Sequence, residues 1–232
     1  MQGTCAFSEA KEENNGERGE TVEHRQEVSK AVIQRLPRYY RNICELKAEG
    51  AQRISSRALA ERMGLTASQI RQDFNCFGGF GQQGYGYNVE ELRSEIGHIL
   101  GVDNDHHLIM IGVGNLGHAL LQNFVFSQTG FTVDAAFDVS PNVVGSEIRG
   151  VPIYHMNSLE SFLEGHHVDV VVLTIPQSVA QETADRLIGL GIQGFWNFTN
   201  MELVSSRPEV KFENIHFADS LLTLSYRISN PS

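Results

Sequence analysis

From Ser29 the apolar residues Val32, Leu36, Tyr40, Ile43 and Leu46 recur three or four positions apart, the spacing that lines one face of an α-helix. Pro37 lies inside the pattern, so it either kinks one helix or begins the second of two, and Gly50 closes the segment. In RISSRALAERMGLTASQIRQDF, residues 53–74, Ser55 or Ser56 can cap a short helix that buries Leu59, Ala60 and Met63. Gly64 permits the left-handed residue that stops such a helix. Thr66, with Gln69 three residues on, has the spacing of a capping box. Helix, glycine turn, helix is the plan of a helix-turn-helix, whose second helix turns Ile70 and Phe74 inward and Ser68, Gln69, Arg71 and Gln72 outward. The next stretch, FGGFGQQGYGYNV (77–89), alternates glycines with aromatics and ends in Asn-Val. That pattern predicts a twisted β-hairpin, the wing of a winged helix, and a glycine-rich interdomain hinge is the competing reading. Residues 89–100 place Leu92, Ile96 and Ile99 on one side of a further helix. The polar GVDNDHH (101–107) reads as a loop at a domain boundary.

Beyond residue 107 the pattern changes. Residues 108–111 are an unbroken apolar run, as in a strand buried on both faces. A helix follows through Ala119, Leu120, Leu121 and Phe124, then a strand over 132–137, a short strand over 151–154 and a short helix over 158–163. Residues 168–174 form an apolar central strand, 177–190 a helix closed by Gly191, and 194–198 a further strand. Strands alternating with helices predict a parallel sheet wrapped by helices. The final segment spaces Phe217, Leu221, Leu224 and Ile228 by 4, 3 and 4. It predicts a terminal helix with one apolar stripe, suited to burial against its own domain or a partner subunit.

Composition adds little to this, but charge distribution adds more. The 232 residues are 41% hydrophobic and 20% charged, as in globular proteins. No apolar run approaches the roughly 20 residues of a membrane span, and no export signal is evident, so a cytoplasmic protein is expected. Cys5, Cys44 and Cys76 are scattered, which fits a reducing compartment and gives neither a disulfide framework nor a zinc site. The net charge is −10, yet residues 30–76 hold 9 Lys/Arg against 4 Asp/Glu, while residues 100–232 hold 5 against 14. Only the basic segment favours a polyanion. Gln and Arg are side chains that read base edges in the major groove, so the helix-turn-helix predicts a contact with double-stranded DNA. A small helical bundle with polar outer residues is the plainer alternative. Residues 1–29, with 3 basic and 7 acidic side chains, predict a disordered acidic tail.

The chemistry is concentrated in IGVGNLG, residues 111–117. After a buried strand, Gly112, Gly114 and Gly117 stand in G-x-G-x-x-G spacing. Gly112 turns the chain, Gly114 lets backbone approach phosphates, and Gly117 lets the helix pack on the strand. With Val113, Asn115 and Leu116 they present a helix N-terminus to a pyrophosphate. Asp138 ends the next strand 21 residues beyond Gly117. A carboxylate there accepts from an adenosine ribose and repels the extra phosphate of NADP. LTIP (173–176) brings Thr174 and Pro176 to the carboxyl end of a strand, where cofactors bind in such sheets. The prediction is a Rossmann domain for NADH and NAD+; a domain that holds coenzyme A, or has lost its ligand, is the alternative. A dehydrogenase also needs an acid or base near the nicotinamide. No Tyr-x-x-x-Lys occurs, Lys211 is the one lysine of the cofactor half, and His106/His107 and His166/His167 lie in polar connecting stretches. No catalytic residue and no metal ligand set is identified.

With both halves read, residues 30–228 resemble the Rex family of redox-sensing repressors. The likeness rests on RLPRYYRN, SSRALAERMGLTASQIRQDF, FGGFGQQGYGYNV, IGVGNLG, FDV, LTIP, GIQGFWNFT and LTLSY. It implies a homodimer whose winged helices grip a palindromic operator and whose terminal helix is swapped between partners. It also implies that NADH releases the DNA while NAD+ permits binding. On that resemblance Gln69 and Arg71 sit at the major groove, with Arg57, Ser68, Gln72 and Tyr85 on the same DNA surface. Gln82 and Gln83 fall at the minor groove, where the family commonly carries Lys or Arg. Phe198 lines the nicotinamide region, and Arg41 matches an interdomain switch arginine. That arginine's usual aspartate partner is replaced by His216, with Asp219 one turn later, and Asn123 stands where a tyrosine is expected.

The expected organisation is a tail (1–29), a winged helix-turn-helix domain (30–100), a Rossmann NAD(H) domain (101–216) and a swapped helix (217–232). The function expected is an NADH-responsive repressor. The rival readings are an NAD-dependent oxidoreductase with an accessory helical domain and a constitutive DNA-binding protein with a structural dinucleotide.

Overall fold

The computed structural model describes residues 28–77 and 85–230. The chain divides into two compact units, one ending at Val89 and the other beginning at Glu90, about one helix earlier than the boundary read from composition.

The first unit opens with α1 (Lys30–Ala48), which runs unbroken through Pro37. Proline removes one backbone donor, but the helix gains a continuous buried stripe of Val32, Leu36, Tyr39, Ile43 and Leu46. The buried tyrosine is Tyr39 rather than Tyr40, because steps of 4, 3, 4 and 3 keep one face inward. A short strand β1 (Arg53–Ile54), not foreseen from sequence, leads into α2 (Ser56–Met63). Ser55 caps α2 by accepting from the Ala58 N–H at 3.0 Å, and Gly64 ends it at φ 66°. Thr66 caps α3 (Ala67–Asn75), its hydroxyl accepting from the Gln69 N–H at 3.1 Å. The reciprocal half of a capping box is replaced: the Gln69 side chain bonds Asp73 instead. Strand β2 (Tyr87–Asn88) pairs antiparallel with β1. Gly86, at φ 70°, makes that pairing possible, since a Cβ there would lie 2.7 Å from the Ile54 carbonyl oxygen. Most of the predicted hairpin, with Gln82 and Gln83, lies outside the described residues, as does nearly all of the predicted tail.

The second unit takes α4 (Val89–Leu100) from Glu90 onward and continues through β3 (His106–Ile111), α5 (Asn115–Asn123), β4 (Phe131–Asp138), β5 (Glu147–Ile148) and β6 (Val151–His155). It goes on to α6 (Leu159–Gly165), β7 (Val170–Leu173), α7 (Gln177–Gly189), β8 (Gly194–Asn197), β9 (Lys211–Asn214) and α8 (Phe217–Ser229). The sheet order is β5-β6-β4-β3-β7-β8-β9, all parallel except the β5 edge. The two short edge strands carry too few apolar residues to announce themselves in sequence. The chain starts at the central β3, winds outward to β6, then crosses back to β7, so the loops after β3 and β7 leave toward opposite faces. Strand alternation feeds both cores. Ile109 and Ile111 pack with Ala180, Ala184 and Leu187 of α7, and Leu108 and Met110 pack with Leu121 of α5. This double burial explains the unbroken apolar run.

Helix α8 has no buried residue. Phe217, Leu221, Leu224 and Ile228 are 52%, 66%, 52% and 71% exposed. The stripe is not buried against its own domain.

Candidate functional site

The glycine cradle sits where the two halves of the sheet part. Parallel register sets Ile111 beside Phe137 on one side and Leu173 on the other, with Leu173 beside Asn197. The carboxyl ends of β3, β4, β7 and β8 are therefore neighbours, and Gly112, Asp138, Thr174 and Phe198 come together along one edge. Gly112 turns at φ 97°, and a Cβ there would stand 2.8 Å from the Thr174 carbonyl oxygen. A Cβ on Gly117 would run into the Gly112 carbonyl oxygen and reach 2.8 Å from Thr174 Oγ1. Gly114 is different, for a Cβ built there meets nothing within 4 Å. Two glycines are thus required by the protein's own packing and the third borders open space. Gly114 also caps α5 without any side-chain bond, leaving the first turn of Asn115, Leu116 and Gly117 uncapped by the protein. An uncapped helix N-terminus facing open space fits an anionic phosphate.

The surrounding groups hold this loop. Thr174 Oγ1 donates to the Gly112 carbonyl at 2.6 Å, so its hydroxyl proton is committed to the cradle's shape. Asp138 accepts from the Val113 N–H at 2.6 Å and the Ser140 N–H at 2.7 Å. Those two bonds aim the carboxylate while leaving half of its roughly four acceptor positions for ribose hydroxyls. Pro176 caps α7. Phe198 is half-buried, its ring 4.7 Å from Trp196 and 6.1 Å from Phe217. His106 and His107 are the first residues of β3 rather than of a loop. His107 Nδ1 lies 2.9 Å from Asp134 Oδ2, and that carboxylate raises the His107 pKa above its ordinary value. Five residue steps along β3 put this pair about 17 Å from the cradle, at the other end of the sheet.

In the first unit, α3 exposes Ser68, Arg71 and Gln72 while Ile70 and Phe74 are buried. Arg71 Nη1 donates to Ser56 Oγ at 3.1 Å, Arg57 Nε donates to Glu61 Oε1 at 3.0 Å, and Tyr85 is exposed. Gln69 is half-buried, not fully outward. Its partner Asp73 went unnoticed in the sequence: it is 1% exposed and is also bonded by Arg35 and Tyr39 of α1. Partners 34 to 38 residues away leave no local signal. The four candidate switch residues are simply placed. Arg41 is exposed on α1, and Asn123 at the end of α5 donates to the Ala119 carbonyl at 3.0 Å. His216 Nε2 lies 3.2 Å from Glu202 Oε1, just before α8, and Asp219 is in the first turn of that helix. Among the described residues no group of His, Cys, Asp and Glu is arranged to hold a metal ion, and no helix is long and apolar enough to cross a membrane.

Comparison with known proteins matches the two halves of the chain to different families. Residues 27–75 match the family described as putative DNA-binding protein N-terminus, and residues 103–201 match the CoA binding domain. A redox-sensing transcriptional repressor Rex of Caldanaerobacter subterraneus is 50% identical over 202 residues, covering 87% of this chain and 90% of the relative. One from Clostridium botulinum is 46% identical over 208 residues, covering 90% and 99%. Among solved structures, RSP in complex with NAD+ and operator DNA is similar at a TM-score of 0.81 and 49% identity, covering 87% of this chain and 93% of that one. RSP in complex with NADH gives a TM-score of 0.80 at 46% identity, over 87% and 94%.

Proposed function

Because the chain belongs to the Rex family of redox-sensing transcriptional repressors, we propose that its two units couple the NADH/NAD+ balance to operator binding. It is a regulator and not an enzyme; the dinucleotide is sensed, not turned over. The observation that carries this reading is a dinucleotide cradle and a helix-turn-helix in one chain. In the cradle, Gly114 borders open space beside an aimed Asp138.

The residue assignments rest on the chemistry of the cradle and of the helix-turn-helix and, for Phe198, Gln82 and Gln83, on the family resemblance. The uncapped N–H groups of Asn115 to Gly117 receive the pyrophosphate beside Gly112 and Gly114. Asp138 receives the adenosine ribose while holding the Val113 N–H, and Phe198 lines the nicotinamide side, with Thr174 and Pro176 shaping the wall. Asp138 disfavours NADP by meeting its extra phosphate with like charge. Ser68, Gln69, Arg71 and Gln72 face the major groove, flanked by Arg57 and Tyr85, and Gln82 and Gln83 reach the minor groove. As uncharged groups, Gln82 and Gln83 contribute less to backbone attraction than Lys or Arg.

Two copies form the working unit. The α8 stripe is too exposed to be stable alone, and a second copy supplies the missing surface. A DNA-binding regulator with no membrane-crossing helix among its described residues works in the cytoplasm. NADH releases DNA only if it binds the DNA-free arrangement more tightly. Arg41, Asn123, His216 and Asp219 are the residues through which the arrangement changes, with His216 held to Glu202 where the family's aspartate stands. An electrophoretic shift on a palindromic duplex, titrated with NADH and NAD+, tests the reading. Release by NADH and retention with NAD+ support it; steady NADH consumption with a small carbonyl compound instead reinstates the oxidoreductase.

A further inference from the structure

Asp73 is the one buried charged residue among those described, and every one of its acceptor positions is used. Arg35 donates Nε to Oδ2 at 2.6 Å and Nη2 to Oδ1 at 2.8 Å. Tyr39 donates its hydroxyl to Oδ2 at 2.7 Å, and Gln69 donates Nε2 to Oδ1 at 2.8 Å. A carboxylate has about four such positions, so four donors fix it in place. Burial pushes its pKa up, but the hydrogen bonds from Arg35, Tyr39 and Gln69 outweigh that and lower it. Asp73 is therefore an acceptor and nothing else.

That has a consequence for Gln69. A glutamine amide has two faces that exchange by a half turn, one presenting N–H groups and the other oxygen. An acceptor-only partner permits a single choice: the nitrogen must point to Asp73. One N–H is then spent, and the second N–H and the carbonyl oxygen remain. That pair bonds N7 and the N6 amino group of adenine, and no other base offers both partners to it in the major groove.

We propose that Asp73 is a specificity-positioning residue: held by Arg35 and Tyr39, it locks the Gln69 amide in the orientation that reads adenine in the operator. The inference rests on the DNA-binding reading of α3. Asp73 touches no base and acts through Gln69.

The test is selection from a duplex pool randomised over about 20 base pairs, in the absence of NADH, using the full chain. The proteins are the wild type, Gln69→Ala, Asp73→Asn, and the Arg35→Gln/Asp73→Asn double variant. Asparagine can donate as well as accept, so it frees the amide to turn. The double variant avoids leaving the half-buried arginine without its counter-charge. The wild type is expected to enrich adenine at one fixed position of each half-site by about 5- to 150-fold, the range of one bidentate contact. That preference disappears in Gln69→Ala and both Asp73 variants, while the remaining positions are selected as before. Adenine retained in either Asp73 variant or in Gln69→Ala overturns the proposal. Loss of all enrichment in both Asp73 variants also overturns it, since the carboxylate then holds α3 as a whole. A wild type that enriches no sequence at all removes the DNA-binding reading itself.

Discussion

Replacing Gly117 with alanine separates what the cradle needs to fold from what it needs to bind. The new Cβ runs into the Gly112 carbonyl oxygen and stands 2.8 Å from Thr174 Oγ1, and neither neighbour is the loose end of a long side chain. Relief requires the β3–α5 turn to move, which strains the 2.6 Å bond from Thr174 Oγ1 to the Gly112 carbonyl. Overpacking of this kind costs about 1–3 kcal/mol, and the weakened hydrogen bond about 0.5–1.5 kcal/mol more. Together, about 1.5–4.5 kcal/mol lowers the melting temperature by roughly 3–18 °C for a domain of this size. Gly114→Ala is the control, because its Cβ meets nothing within 4 Å and its backbone is already extended. It should melt with the wild type yet lose NADH binding by about tenfold or more, since the methyl group occupies the phosphate's approach. Calorimetry and fluorescence titration of NADH read the two effects. Wild-type NADH affinity in Gly114→Ala, or an unchanged melting temperature in Gly117→Ala, would refute the reasoning.

Three further outcomes follow from the same geometry. Asp138→Ala should weaken NADH binding about tenfold and narrow the gap between NADH and NADPH, measured by competitive titration; an unchanged gap places the ribose elsewhere. Arg71→Ala should weaken binding to a palindromic duplex without altering NADH affinity, as anisotropy and fluorescence can show separately. The third concerns pH. Asp134 raises the His107 pKa above its ordinary 6.5, so the pairing is fully present below that value and is lost as pH rises through the raised one. The melting temperature should therefore fall through that window in the wild type, and Asp134→Asn should flatten the slope; equal slopes would contradict the pairing.

Much of the cofactor half was legible because its signals are local. Three glycines in six positions, a strand before them and an acid at the next strand's end specify the cradle almost without tertiary information. Caps at Ser55 and Thr66 and the stop at Gly64 were legible for the same reason. The DNA-side network was not. Arg35 and Tyr39 lie more than thirty residues before Asp73 and on a different helix, and a spacing of three or four from Leu36 and Ile43 admits Tyr40 as readily as Tyr39. The capping-box spacing at Gln69 held only its backbone half, because a buried carboxylate one turn away is a stronger partner than an exposed backbone N–H. The α8 stripe was readable as apolar, but a single chain's sequence cannot say which copy covers it. The exposed helix shows only that its own domain does not.

The coupling itself is tested most directly by one titration: anisotropy of a labelled palindromic duplex bound to the protein, with NADH added while cofactor fluorescence reports its occupancy. The account predicts that the duplex is released in step with NADH occupancy and remains bound when NAD+ replaces it. A duplex that stays bound, with unchanged affinity, to protein saturated with NADH would contradict it.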